Sequence, residues 1–360
     1  MEKREANIDL LRIVSMLMIV ILHALGKSCV LDEVEPFTLN YYLAYFFEGI
    51  SYLGVNVFIL ISGYFADRSV FRSKKIVLLV LEVFFYSVVI YAIMLITGNV
   101  KFSLTDLPYV FLPVLSRNYW YITVYFCFYL LSPFLGANSL SNRVLNRLLI
   151  LLFILFSVIP TTFFFVDTFD LNNGYSLLWF VFLYYTGLYI KRKKDEIVLT
   201  KRLVIIGIAL ILFIPLSRYL IAGATQLVLG KVVGAGFFFR YESVPVFCAS
   251  VFLFILFTKL RINHPLVRKT IFFLSASTVS VYLIHTNKFV KDVFWSVFGF
   301  ESLMDSPLLI PYVLAVSVLV FVVCILIDKC RAAAEKAIFR NDRFGKLFGK
   351  IDSFFSKENV

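Results

Sequence analysis

The sequence predicts an all-α, polytopic bundle of about ten membrane-spanning helices, and three observations carry that reading. The 360-residue chain is 61% hydrophobic and only 16% charged, with a mean hydropathy of +0.88. Soluble domains hold about 45–50% apolar residues, and a soluble fold could not hide the excess seen here. Apolar runs recur near the roughly 20 residues that cross a bilayer core. The basic residues gather in alternate connections between these runs, so the net charge of +12 follows topology and excludes nucleic acid as the implied partner.

Ten spans follow in order, at 10–27, 45–66, 76–97, 119–136, 147–165, 175–190, 203–221, 244–258, 271–287 and 308–327. With the N-terminus in the cytoplasm, three Lys or Arg residues lie in 1–12, up to and into the start of the first span, and four in 67–75 separate the second from the third. Two in 138–147, six in 191–202 and four in 259–269 mark the later cytoplasmic turns, and eight follow the last span in 328–360. One face thus carries 27 of the 35 basic side chains, which places both termini in the cytoplasm.

Residues 1–327 read as one integral domain, because the external connections at 98–118, 222–243 and 288–307 are short and aromatic-rich. The tail, 328–360, alternates Phe, Leu and Ile with Lys and Arg and reads as an amphipathic helix on the anionic inner leaflet. A charged start and the small residues Ala24 and Gly26 raise the possibility of a signal peptide, but a cleaved leader has no use for Arg12 and His23, so an uncleaved first span is expected. Five cysteines, an odd number without CxxC or ligand spacing, predict neither a disulfide framework nor a metal site.

The first span, IDLLRIVSMLMIVILHAL, holds an arginine and a histidine eleven positions apart. At 3.6 residues per turn that is close to three turns, so both project from one helix face about 16 Å apart and can line one cavity. Ionisable residues inside a membrane are costly and mark functional sites by default. A plainer account serves equally on spacing alone: Arg12 snorkels to the inner interface and His23 caps the outer end.

The Arg and His with ten residues between them resemble the first span of acyltransferase family 3, membrane proteins that O-acylate cell-surface carbohydrates. VNVFILISGYF (55–65), NYWYITVYFCFYLLSPFL (118–135), FLYYTGLYIKRKK (182–194) and SVYLIHTNKF (280–289) resemble later family segments in the same order. The resemblance implies a multi-pass protein of the bacterial cytoplasmic membrane that moves an acyl group from cytoplasmic acyl-CoA, most simply acetyl-CoA, to a hydroxyl of a surface polysaccharide or lipid-linked glycan.

Such a transfer needs a base or transient nucleophile, a group that stabilises oxyanion charge, and a site for the donor's phosphates. His23 is the expected base, since a neutral imidazole can accept a proton or attack a thioester. Arg12 can hold a phosphate or carbonyl in bidentate fashion, with Asp9 one turn before it as its orienter or merely a helix N-terminal acid. Arg68, Arg72, Lys74 and Lys75 suit the CoA phosphates, although a basic stop-transfer cluster has the same composition. Glu48, Arg240, Glu242 and His285 are expected to bind the acceptor's hydroxyls, with Trp120 and Tyr121 either as a stacking surface for it or as part of an interfacial aromatic belt. Ser62 and Gly63 fit close helix packing better than catalysis. Glu82 is either an intramembrane partner for Arg12 or a shallow interfacial acid, and His264 a solvated structural residue. A transporter or flippase for a lipid-linked glycan is the second reading; it lacks the matched pair of Gly/Pro-broken spans expected of inverted-repeat carriers.

Overall fold

A computed structural model describes residues 4–66, 71–136, 139–338 and 351–352, and every regular element among them is helical. The main helices are α1 (Ala6–Gly26), α2 (Leu39–Tyr64, interrupted at Tyr52), α3 (Ser73–Ile96), α4 (Trp120–Leu131) and α5 (Asn142–Thr162). The second half contributes α6 (Leu177–Lys193), α7 (Lys201–Leu229), α8 (Val244–Thr258), α9 (Pro265–His285) and α10 (Leu309–Ile338).

Each expected span falls on one of these helices, yet the described residues contain seven that are long and apolar enough to cross a membrane: α1, α2, α3, α5, α7, α9 and α10. α4, with the turn that extends it to Leu135, and α8 are apolar but shorter. The 17-residue α6 is buried over most of its length and ends on Lys191, Arg192 and Lys193. A helix walled by protein can be less apolar than one facing lipid, because neighbouring helices satisfy its polar groups. α10 runs unbroken past the expected domain boundary at 327, and the tail at 339–350 and 353–360 lies outside the described residues.

α1 sits at the centre of the bundle, packed against α2, α8, α9 and α10. Leu11, Ser15, Val20, Ala24 and Leu25 are fully buried in that contact. A span can hold Arg12 and His23 because both line a cavity within the bundle. α2 and α6 approach most closely at a pair of glycines. A Cβ on Gly63 would overlap the Tyr184 carbonyl oxygen, and one on Gly187 would overlap the Leu60 carbonyl oxygen. Small residues let membrane helices pack backbone to backbone, and this contact aligns α2 against the bundle.

Hydrogen bonds draw one end of the bundle together around the start of α1. Asn7 Nδ2 donates to the Phe257 carbonyl at the end of α8 (3.0 Å), and Lys191 Nζ at the end of α6 meets Glu5 Oε1 at 3.2 Å. Burial alone would raise the Glu5 carboxyl, but Lys191 and Lys194 hold it below its ordinary range and so keep it charged. Glu82 on α3 is not a partner of Arg12. It accepts from Ser280 and lies 3.8 Å from Arg331, which also pairs with Asp328 (2.7 Å) and Glu335 and so ties α3 and α9 to α10.

Candidate active site

A cavity of about 740 Å³ runs beside α1, within the range that holds small-molecule ligands. Arg12 and His23 both line it, as their shared helix face requires.

At the Arg12 end the wall is cationic, with Arg4, Arg12 and Lys75 contributing. Asp9 is buried at 2% exposure and divides its carboxylate between the two arginines. Oδ2 accepts from Arg4 Nε at 2.9 Å and is ion-paired with Arg4 Nη2 at 2.8 Å, and Oδ1 accepts from Arg12 Nη1 at 2.7 Å. Arg4 Nη2 also donates to Ser275 Oγ on α9 at 2.9 Å. One acid therefore orients two guanidinium forks while leaving a positive excess, the combination that binds phosphate or polarises a carbonyl.

At the His23 end the wall is largely aromatic, with Lys27 as one cation there. Tyr52, Trp120, Tyr121, Tyr175 and Tyr241 line the space, with Trp120 tilted against Tyr175 (ring centroids 4.2 Å) and stacked on Tyr241 (6.2 Å). Glu48 also lines this end, and its Oε2 is buried without a hydrogen-bond partner. An unpartnered carboxylate oxygen in a buried setting is costly, and a ligand hydroxyl would satisfy it.

His23 itself is held from behind. Its Nδ1 lies 2.9 Å from Nε2 of His285, the last residue of α9, and His285 Nδ1 lies 2.6 Å from the Val281 carbonyl oxygen one turn earlier. His285 is fully buried and is not part of the cavity wall.

Of the residues singled out from the sequence, the cavity thus gathers Arg12, His23, Lys75, Glu48, Trp120, Tyr121 and Ser62. Arg72 and Lys74 stand exposed and off the wall, and Arg68 lies outside the described residues. Glu242 is also off the wall, buried at 2% and 3.5 Å from Arg240. His264 is exposed at the start of α9. Sequence reasoning did not single out Arg4, although an arginine five residues before an intramembrane-facing acid was a signal. It also did not pair His285 with His23, for which no local signal exists across 262 positions.

An all-helical membrane bundle with a basic, histidine-bearing internal cavity is the class of protein defined by this arrangement. The chain belongs to acyltransferase family 3: the family's profile, described as an acyltransferase domain, matches residues 5–329. The protein is therefore a multi-pass membrane acyltransferase, and the transferred group is not an amino-acyl one. No curated protein and no solved structure matches the chain.

Proposed function

We propose that the protein is an O-acyltransferase of the bacterial cytoplasmic membrane, moving an acyl group, most simply acetyl, from acyl-CoA to a hydroxyl of a surface polysaccharide or lipid-linked glycan. The observation that carries this reading is the single cavity with Arg12 toward one end and His23 toward the other. The donor's phosphates meet the cationic end, where Arg4 and Lys75 join Arg12, with Arg68, Arg72 and Lys74 nearby in sequence. The acceptor sugar enters from the opposite side, stacks on Trp120 and hydrogen-bonds Glu48. His23 takes the hydroxyl proton between them.

The test is release of free CoA from acetyl-CoA by purified protein supplied with glycan acceptors, together with ester analysis of the envelope in cells with and without the gene. Acceptor-dependent release and a missing ester are expected. An absence of release over a panel of acyl donors and acceptors would move the reading to transport of a lipid-linked glycan.

The two-sided arrangement requires both termini and the basic loops to face the cytoplasm. In a background without the native cysteines, cysteines placed at Glu35, Asp170 and Asp305 are expected to react with an impermeant maleimide in intact cells, and those at Lys74 and Lys193 only after lysis. The reverse pattern would exchange the donor and acceptor sides.

A further inference from the structure

We propose that His285 is a positioning residue that sets the tautomer of His23, making Nε2 the nitrogen that works on the substrate. The proposal rests on the reading of His23 as the base of acyl transfer.

Two contacts carry it. His285 Nδ1 stands 2.6 Å from the Val281 carbonyl oxygen, and a carbonyl only accepts, so this nitrogen carries a proton. In a neutral ring the other nitrogen, Nε2, then holds a lone pair. That lone pair faces His23 Nδ1 at 2.9 Å, so His23 Nδ1 is the donor and keeps its proton. His23 Nε2 is left as the basic nitrogen. The opposite tautomer would set the His285 Nδ1 lone pair against the Val281 oxygen. A doubly protonated His285 would bury a cation with no carboxylate hydrogen-bonded to it among the described residues.

The surroundings hold this geometry. Trp295 and Tyr282 flank the His285 ring at centroid distances of 6.0 and 6.4 Å. Just beyond the helix end, buried Asn287 donates to the Tyr119 hydroxyl at 2.6 Å and accepts from the Phe289 amide at 2.9 Å, which anchors the chain that leaves His285. The logic is that of a triad in which a third group orients the base, with a carbonyl-anchored imidazole in the place of a carboxylate. An imidazole acceptor adds no negative charge to the site.

The acceptor hydroxyl oxygen bonds to the thioester carbonyl carbon while its proton passes to His23 Nε2. The C–S bond breaks as the tetrahedral intermediate collapses, the sulfur leaves with the electron pair, and Nε2–H returns the proton to it. His23 Nδ1–H stays on His285 throughout.

The experiment compares His285→Gln with His285→Asn in the CoA-release assay, beside wild type and His23→Ala. The Gln amide oxygen reaches the position of the imidazole Nε2 and can accept from His23. The Asn amide reaches only the position of Nδ1, so it can still donate to the Val281 oxygen but falls short of His23. With abundance and the apparent KM for acetyl-CoA unchanged in both, His285→Gln is expected within about 10-fold of wild-type kcat and His285→Asn about 10²–10⁴-fold below it. Equal kcat for Gln and Asn, whether high or low, would overturn the positioning role. Should His23→Ala release CoA as fast as wild type, the base assignment falls first, and the role of His285 falls with it.

Discussion

Replacing His23 by Ala is expected to leave the protein at normal abundance and to abolish ester formation. The imidazole lines the cavity and packs against His285 at a centroid distance of 5.1 Å, but it does not hold helices together through an ion pair. Loss of a general base typically costs about 10²–10⁴-fold, and a covalent role would add to that. His23→Gln is expected to fare no better, because an amide nitrogen has no basic lone pair. Acetyl-CoA binding measured on the same variants should persist, since the cationic end of the cavity is untouched. Wild-type rates of CoA release in His23→Ala would remove this residue from the mechanism.

Arg12→Lys is expected to cost about 10- to 100-fold in kcat/KM for the acyl donor, the scale of one lost charge-assisted hydrogen bond at about 1.5–3 kcal/mol. This substitution separates the two accounts of Arg12. A snorkelling or topogenic cation works through its charge alone, and Lys supplies that charge as well as Arg does. A fork that pairs with Asp9 through one nitrogen, at 2.7 Å, and presents the others to a ligand cannot be copied by a compact ammonium. Donor titrations of the wild type and Arg12→Lys, at matched abundance, decide it: an unchanged kcat/KM would return Arg12 to an anchoring role. Asp9→Asn should weaken donor use in the same direction, because Arg4 and Arg12 share that single carboxylate.

Much of this site was legible before any fold was considered. The helical period placed Arg12 and His23 on one face, and of the two accounts the sequence left open, an inward face or an interfacial one, the structure sets both on the cavity wall beside the central α1. Asp9, one turn from Arg12, was likewise within reach of local geometry. The loop cations were less readable. Lys75 reaches the wall and its neighbour Lys74 does not, because consecutive residues on a helix diverge by about 100° and the sequence does not say how α3 is rotated.

By itself, then, the sequence determined the class of protein, the positions of the helices and the common face of Arg12 and His23, since composition, apolar run length and helical pitch are local properties of the chain. Tertiary structure alone decided that Glu82 serves Arg331 and not Arg12, that Glu242 lies beside Arg240 away from the cavity, and that His285 stands behind His23 instead of facing the cavity. Each of these depends on the rotation and tilt of one helix against another far away in sequence. Those are set by side-chain packing across the bundle, including the backbone contact at Gly63 and Gly187, and no local periodicity encodes them.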